Sequence, residues 1–396
     1  MPETRLKVAF VVDRFGARFG GAEAYGVALM RELSVSCDVT VFARDYDREC
    51  SVRLPYVPIQ SWKGWPSWCR VLLFAFKSTR LIGSEFDIVH SHVNGWNGDI
   101  DVLHVTPVRY KWRVKPAAAW RALMTRLSPR IQTYLGLEAC RVRPRAGHRT
   151  VAVSGLIARQ LTESYGPACD AQVIPPGVQA NLAYNAEERL ALRRALGYSA
   201  QDQVCLLVAR NPLRKGLATI MKALEQLPGH VRLLVVGGGA ATRAYVSAHA
   251  RKDIAQRIRI VDETSMVSPY YAVADLYVHP TSNDSYGMAP LEAMAAGLPA
   301  ILSASPWCGL SQYIRHGHEA LLLSRPDDAA ELADSIASIL RDDALRLSLA
   351  QNGRAFSDTR NWPDIARQYL DLYAQVLAER RIVSAIANAP VGASEI

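Results

Sequence analysis

Two carboxylates, Asp284 and Glu292, stand eight positions apart in a segment that runs from His279-Pro280 to Gly297-Leu298-Pro299. An apolar run from Ala274 to Val278 stops at His279-Pro280, a polar loop follows, and Pro290 and Gly297 bracket a short helix at its first turn and its end. The reading is strand, loop, helix. Such a helix start presents unpaired N–H groups and a partial positive charge, which suits phosphate, and Gly287 lets the backbone come close to it. Carboxylates repel phosphate but accept charge-assisted hydrogen bonds from hydroxyls, so Asp284 and Glu292 suit a sugar or a ribose. The plain structural alternative puts Glu292 at the third helical position, worth roughly 0.3–1 kcal/mol against the helix dipole. Its reciprocal capping partner would then be Ala289, which has no side-chain acceptor.

Four further places could carry chemistry. Arg210 and Lys215, five apart in Ala209-Arg210-Asn211-Pro212-Leu213-Arg214-Lys215-Gly216, follow a strand and could neutralise a diphosphate as it leaves; the alternative is a solvated basic loop. Arg214 is the weaker third cation. Gly237-Gly238-Gly239 and Gly20-Gly21 each stand between a strand and a helix, where glycines admit a ligand close to the backbone or simply make a tight turn. His90, His92 and His104 are the remaining candidates; His90 faces a strand interior, where a lone histidine is more often structural than catalytic, and His104 ends a strand. Asp99-Ile100-Asp101 has the spacing of a metal ligand pair but opens a strand, so no metal is expected.

The elements that must position these residues alternate as β-branched runs and helical patterns, the habit of parallel α/β sheets. Strand candidates in the first half are 7–12, 39–42, 86–90, 101–105, 150–153 and 172–174; in the second, 204–209, 232–236, 257–261, 276–279, 300–303 and 320–323. Pro175-Pro176-Gly177 reads as a hinge. Two doubly wound, Rossmann-like domains are therefore expected, spanning 1–178 and 179–361, with ligand loops at the strand C-termini. Apolar residues at helical spacing from Ile365 to Leu377 predict a long helix over 362–384, and 385–396 reads as a frayed tail.

The chain has 396 residues, of which 49% are hydrophobic, enough for two cores. Seven scattered cysteines form neither a zinc pattern nor a disulfide framework and fit a reducing cytosol. The first apolar run is too short for a signal peptide, and no later one reaches the length of a membrane span. The net charge of +9 is concentrated: between Pro107 and Thr150 eleven basic residues face Glu138 alone. There Arg109-Tyr110-Lys111-Trp112-Arg113-Val114-Lys115, followed by Trp120, interleaves cations with aromatics, which suits the headgroup layer of an anionic membrane. A nucleic-acid partner is ranked lower because no nucleic-acid module accompanies the patch.

The segment from Asp284 to Glu292 resembles the acidic-x7-acidic signature of the retaining glycosyltransferase family 4, with Asp284 for the usual Glu and Ser285-Tyr286-Gly287 for the usual Gly-Phe-Gly. Arg210 and Lys215 are similar to that family's Gly-Arg-x5-Lys-Gly, and Gly20-Gly21-Ala22-Glu23 to its Gly-Gly-x-Glu. The resemblance implies the two-domain GT-B architecture, a terminal helix crossing back to the first domain, and transfer of a hexose from a nucleoside diphosphate, UDP first, without metal or resident cofactor. It implies donor contacts from Gly20, Gly21, Arg210, Lys215, Gly237, Gly238, Ser285, Tyr286, Gly287, Met288, Ala289 and Glu292. It also implies that Asp284 and His104, with His92 as runner-up, meet the transferred sugar. The basic-aromatic stretch is similar to the membrane-facing region of lipopolysaccharide core glucosyltransferases. It implies a bacterial glycolipid or polysaccharide precursor as acceptor, and a cytoplasmic protein held on the inner face of the membrane. A sugar-nucleotide epimerase on the same scaffold, and a non-catalytic membrane-bound nucleotide binder, are the alternatives.

Overall fold

The computed structural model describes residues 5–60, 64–115, 119–179, 185–264 and 266–387, with the backbone alone for 119–122 and 386–387. The chain divides into two compact units. One takes the described residues up to Pro175 and those from Pro363 on, the other Pro176–Trp362.

In the first unit seven parallel strands lie in the order Tyr56–Pro58, Cys37–Ala43, Leu6–Val11, Ile88–Ser91, Ile100–Leu103, Arg149–Ala152, Gln172–Val173. In the second, six parallel strands lie in the order Ile258–Val261, Val231–Val236, Gln203–Val208, Leu276–His279, Ala300–Ser303, Leu321–Leu323. Both sheets have helices among their connections, so their central strands are apolar throughout: Val8, Ala9 and Phe10, like Val204 to Leu207, are fully buried. Counted along the chain, the first sheet runs 3-2-1-4-5-6-7 and the second 3-2-1-4-5-6, so in both the winding reverses beside strand 1. Ligands bind at that reversal, outside the carboxyl ends of the strands. In the first unit the reversal lies between Leu6–Val11 and Ile88–Ser91, paired from Val8↔Ile88 to Val11↔Ser91. In the second it lies between Gln203–Val208 and Leu276–His279, paired at Cys205↔Leu276 and Leu206↔Tyr277.

Each strand run read from the sequence is present, with ends shifted by a residue or two. Tyr56–Pro58 was not read, nor was the small pair Arg14–Phe15 with Asp45–Tyr46. The terminal helix Trp362–Ala387 belongs to the first unit from Pro363 onward, where Tyr369, Leu372, Tyr373 and Val376 are fully buried. Polar bonds fasten it within that unit: the hydroxyls of Tyr369 and Tyr25 lie 2.7 Å apart, and Glu379 and Arg380 pair with Arg149 and Asp99. Those bonds to Glu379 hold its carboxyl down at about 2. The helix includes Ala385–Ala387, a correction to the tail read over 385–396; residues 388–396 lie outside those described.

Candidate functional site

At the reversal point of the second sheet, two loops are pressed together. Strand Gln203–Val208 delivers the loop through Arg210 to Gly216, and strand Leu276–His279 delivers the loop through Asp284 to Gly287. Gly216 sits at φ +95°, where a Cβ would stand 2.1 Å from the Pro280 carbonyl oxygen, so only glycine allows this approach. The approach brings Lys215 Nζ into an ion pair with Asp284 Oδ2, and the same oxygen lies 2.9 Å from His279 Nε2. The Asp284 backbone is pinned as well, its N–H donating to Trp307 O at 2.7 Å and its carbonyl accepting from Gly309 N–H at 3.0 Å.

Electrostatics assign the protons. Burial pushes the Asp284 carboxyl up, but the His279 hydrogen bond and the Lys215 charge outweigh it and hold Asp284 well below the usual carboxylate range. Burial lowers His279 despite that same bond, so the imidazole is neutral near pH 7. With Asp284 ionised, His279 must donate Nε2–H to it. Its Nδ1 is then an acceptor, sharing the one Tyr277 hydroxyl proton, 3.3 Å away, with the Val208 carbonyl at 3.4 Å. Both protein contacts to the Asp284 carboxylate converge on Oδ2, and Oδ1 has no hydrogen bond to another described residue.

The helix Met288–Ala295 starts from Gly287, which stands at φ +112° with its Cβ position 3.0 Å from Pro290 Cγ and 3.1 Å from Cys308 Sγ. The helix therefore begins earlier than the sequence suggested: Pro290 is its third residue and Glu292 its fifth. Glu292 is thus no first-turn residue; its carboxylate accepts from the Tyr271 hydroxyl at 2.7 Å, and burial pushes its pKa up against that bond. The first N–H groups of the helix have no intrahelical partner, and Met288 and Ala289 bear them. Tyr286 enters the site through its backbone alone, because its side chain is turned into the core at 3% exposure.

The remaining cation and the second-unit glycines have other partners. Arg210 is half exposed and pairs with the equally exposed Glu263 at 3.1 Å. The amides of Gly237 and Gly238 both donate to Val261 O, at 3.1 and 3.2 Å, so that turn offers close approach rather than N–H donors. Among the described residues no group of three or more His, Cys, Asp or Glu is arranged to hold a metal; Asp99 and Asp101 are engaged by Arg380, Arg141 and His148.

In the first unit, Gly20 is the N-cap of helix Gly21–Leu33, and Glu23 pairs with Arg14 at 3.1 Å. The three histidines form one hydrogen-bonded file. His90 Nδ1 is 2.6 Å from the Tyr373 hydroxyl, His90 Nε2 is 3.0 Å from His92 Nε2, and His92 Nδ1 is 3.1 Å from His104 Nε2. Burial, aided by their mutual repulsion and by Arg141, pushes His90 and His104 down to about 3 and His92 well below its ordinary value. His90 and His92 are two apart, the spacing that puts side chains on one face of a strand, and that was the sequence signal for their meeting. Tyr277 and His279 repeat it in the second unit.

The basic-aromatic stretch is a turn of π-helix, Tyr110–Val114. It is stapled to its unit by the lone acid of the region: buried Glu138 accepts from the backbone N–H groups of Val108 and Arg109 and from the Tyr165 hydroxyl, while Arg109 stacks over the Tyr165 ring at 5.0 Å. Arg109 is accordingly not a free surface cation, whereas Lys111, Arg113 and Lys115 are exposed. Leu123, Met124 and Leu127 are exposed beside them at 58%, 45% and 67%. The Trp120 side chain lies outside the described residues.

Residues 19–182 match the family described as Glycosyltransferase Family 4, and residues 188–356 the family described as Glycosyl transferases group 1. Over 308 residues the chain is 30% identical to a phosphatidyl-myo-inositol mannosyltransferase of Mycobacterium tuberculosis (strain ATCC 25618 / H37Rv), covering 72% of this chain and 77% of that protein. It is 29% identical over 316 residues to a D-inositol 3-phosphate glycosyltransferase of Xylanimonas cellulosilytica, covering 74% and 73%. With the lipopolysaccharide glucosyltransferase WaaG of Escherichia coli (strain K12) it shares 27% identity over 207 residues, 51% of this chain and 55% of that one. Among solved structures, WaaG, described as a glycosyltransferase involved in lipopolysaccharide biosynthesis, superposes with a TM-score of 0.79 at 21% identity, covering 92% and 99% of the two chains. Anabaena HepE in complex with UDP-glucose does so with a TM-score of 0.73 at 18% identity, covering 93% and 100%.

Proposed function

Because this chain belongs to glycosyltransferase family 4 and is a glycosyltransferase of GT-B fold, we propose that it moves a hexose from UDP to a glycolipid or polysaccharide precursor of the bacterial surface. The observation that carries this reading is the second unit's loop pair. A helix start suited to phosphate follows Asp284, which is ion-paired with Lys215; Glu292 is the fifth residue of that helix, and Arg210 stands on the same loop as Lys215. Glu292 holds the ribose with the lone pairs that Tyr271 leaves open, and Asp284 Oδ1 accepts from a sugar hydroxyl. Arg210, Lys215 and the helix start offset charge as it builds on the departing diphosphate, the part a divalent ion plays elsewhere. His104 donates to a hydroxyl of the transferred sugar. The departing phosphate takes the acceptor proton, and the anomeric configuration is retained.

The acceptor reading draws support from relatives whose names include a lipopolysaccharide glucosyltransferase and a phosphatidyl-inositol mannosyltransferase. It also fits the exposed strip of Lys111, Arg113, Lys115, Leu123, Met124 and Leu127, which can sit in a headgroup layer at about 1 kcal/mol per cation. No helix among the described residues is long and apolar enough to cross a membrane. Peripheral attachment to the inner face of the cytoplasmic membrane is the localisation that follows. The test is transfer of radiolabelled glucose from UDP-glucose to lipid-extracted bacterial glycolipid, with and without EDTA. Labelled glycolipid formed equally in EDTA is the expected result. Label released only as free UDP-hexose isomer would overturn the transfer, and loss of activity in EDTA would overturn its metal independence.

A further inference from the structure

The histidine file has more order than a structural cluster needs. Its three rings are neutral, so each carries one proton, and Tyr373 adds a fourth; the file has three contacts to fill. Filling each contact once leaves a single proton over, and it must sit at one end of the file. If the Tyr373 hydroxyl donates to His90 Nδ1, then His90 Nε2–H donates to His92 and His92 Nδ1–H donates to His104 Nε2. The spare proton then stands on His104 Nδ1. If the file runs the other way, the spare proton is the Tyr373 O–H, with His104 Nδ1 a bare acceptor.

The two ends are not equivalent. Tyr373 is fully buried, and its hydroxyl has no partner among the described residues other than His90. A buried hydroxyl that donates to nothing is costly. His104 follows the end of strand Ile100–Leu103 and is partly exposed, where its Nδ1 can reach a ligand or water. Edge-on contact of the Tyr25 ring with both His92 and His104, at 5.6 and 4.8 Å between centroids, holds the outer two rings in this orientation.

We propose that Tyr373, His90 and His92 are positioning residues that hold His104 as its Nδ1–H tautomer, a neutral donor for a hydroxyl of the transferred sugar; the sugar contact rests on the glycosyl-transfer reading above. The experiment is a long-range ¹H–¹⁵N correlation spectrum of the full chain, ¹⁵N-labelled in histidine, free of substrate at pH 7. Expected are His104 and His92 protonated at Nδ1 and His90 at Nε2. In Tyr373→Phe the donor that fixes the direction is gone, so His104 should gain Nε2–H population. Turnover should fall roughly three- to tenfold, the range of one neutral hydrogen bond, with UDP affinity unchanged. The wild-type spectrum needs neither substrate nor variant, so an Nε2–H His104 there overturns the relay itself. An Nδ1–H His104 whose Tyr373→Phe variant turns over undiminished overturns instead the contact with sugar.

Discussion

The two units use one winding order and place a histidine at the same topological point, yet they surround it with opposite chemistry. In the first unit the His90, His92 and His104 rings bond, among the described residues, to one another and to Tyr373, with buried Arg141 nearby and no carboxylate in the file. In the second, His279 is bonded to an ionised carboxylate that is itself paired with Lys215. The histidine file is polar without charge of its own, with the Arg141–Asp101 pair close by; the other cluster is built from charge. A diphosphate calls for the second kind, since charge grows on it as it leaves, whereas a sugar hydroxyl needs only an oriented donor or acceptor.

The largest test of that difference is to remove one partner from each cluster. Lys215→Met should cost about 3–5 kcal/mol, because Asp284 is left mostly buried without its counter-ion, and turnover should fall with it. His90→Phe, which strands a neutral Tyr373 hydroxyl, should cost nearer 1–3 kcal/mol. Urea denaturation of the two variants reads the order, and equal losses would erase the contrast.

Acid should act on the neutral cluster before it reaches Asp284. Folded His90 and His104 have been pushed down to about 3, and unfolded histidine titrates near 6.5, so between those values the unfolded chain binds more protons and stability falls as pH falls. Lowered His279 adds to the same fall. Asp284 stabilises above the ordinary carboxylate pKa and loses that contribution only as pH drops through its depressed folded value. Calorimetric midpoints should thus decline from pH 7 to pH 4.5, and less steeply in His92→Gln, which has one histidine fewer to charge. Parallel curves would contradict the neutral file.

Much of this was legible in the sequence, for a physical reason. Parallel strands covered on both faces read as apolar runs, so the doubly wound units were visible; Tyr56–Pro58, three partly exposed residues ending in Pro, carried no such signal. Local spacing likewise marked Asp284, Glu292, Arg210 and Lys215. Partners set by tertiary approach were not readable. Nothing near Lys215 in sequence announces Asp284, and Tyr373 reaches His90 from 283 positions away. His279, Tyr271 and Tyr277 were passed over because they finish or flank an apolar run and look like core. Glu138 was seen only as the lone acid in a basic region, though its isolation there is what makes it the staple for that backbone.

The smallest expected effect belongs to the exposed pair beside the charged cluster. Glu263→Ala should change stability by no more than about 1 kcal/mol, since both members of the Arg210 pair are half exposed. It should leave UDP affinity equal or slightly higher by freeing Arg210. A large loss of stability would show that this surface pair belongs to the cluster after all.

The central claim is that the second unit is the nucleotide site, with Glu292 on the ribose. Isothermal titration of UDP into the full chain and into Glu292→Ala tests it most directly. Losing a charged hydrogen-bond partner is worth roughly 1.5–3 kcal/mol, so the variant should bind UDP about ten- to a hundredfold more weakly than the wild type. Wild-type protein that does not bind UDP, or a variant that binds it with unchanged affinity, would contradict the account.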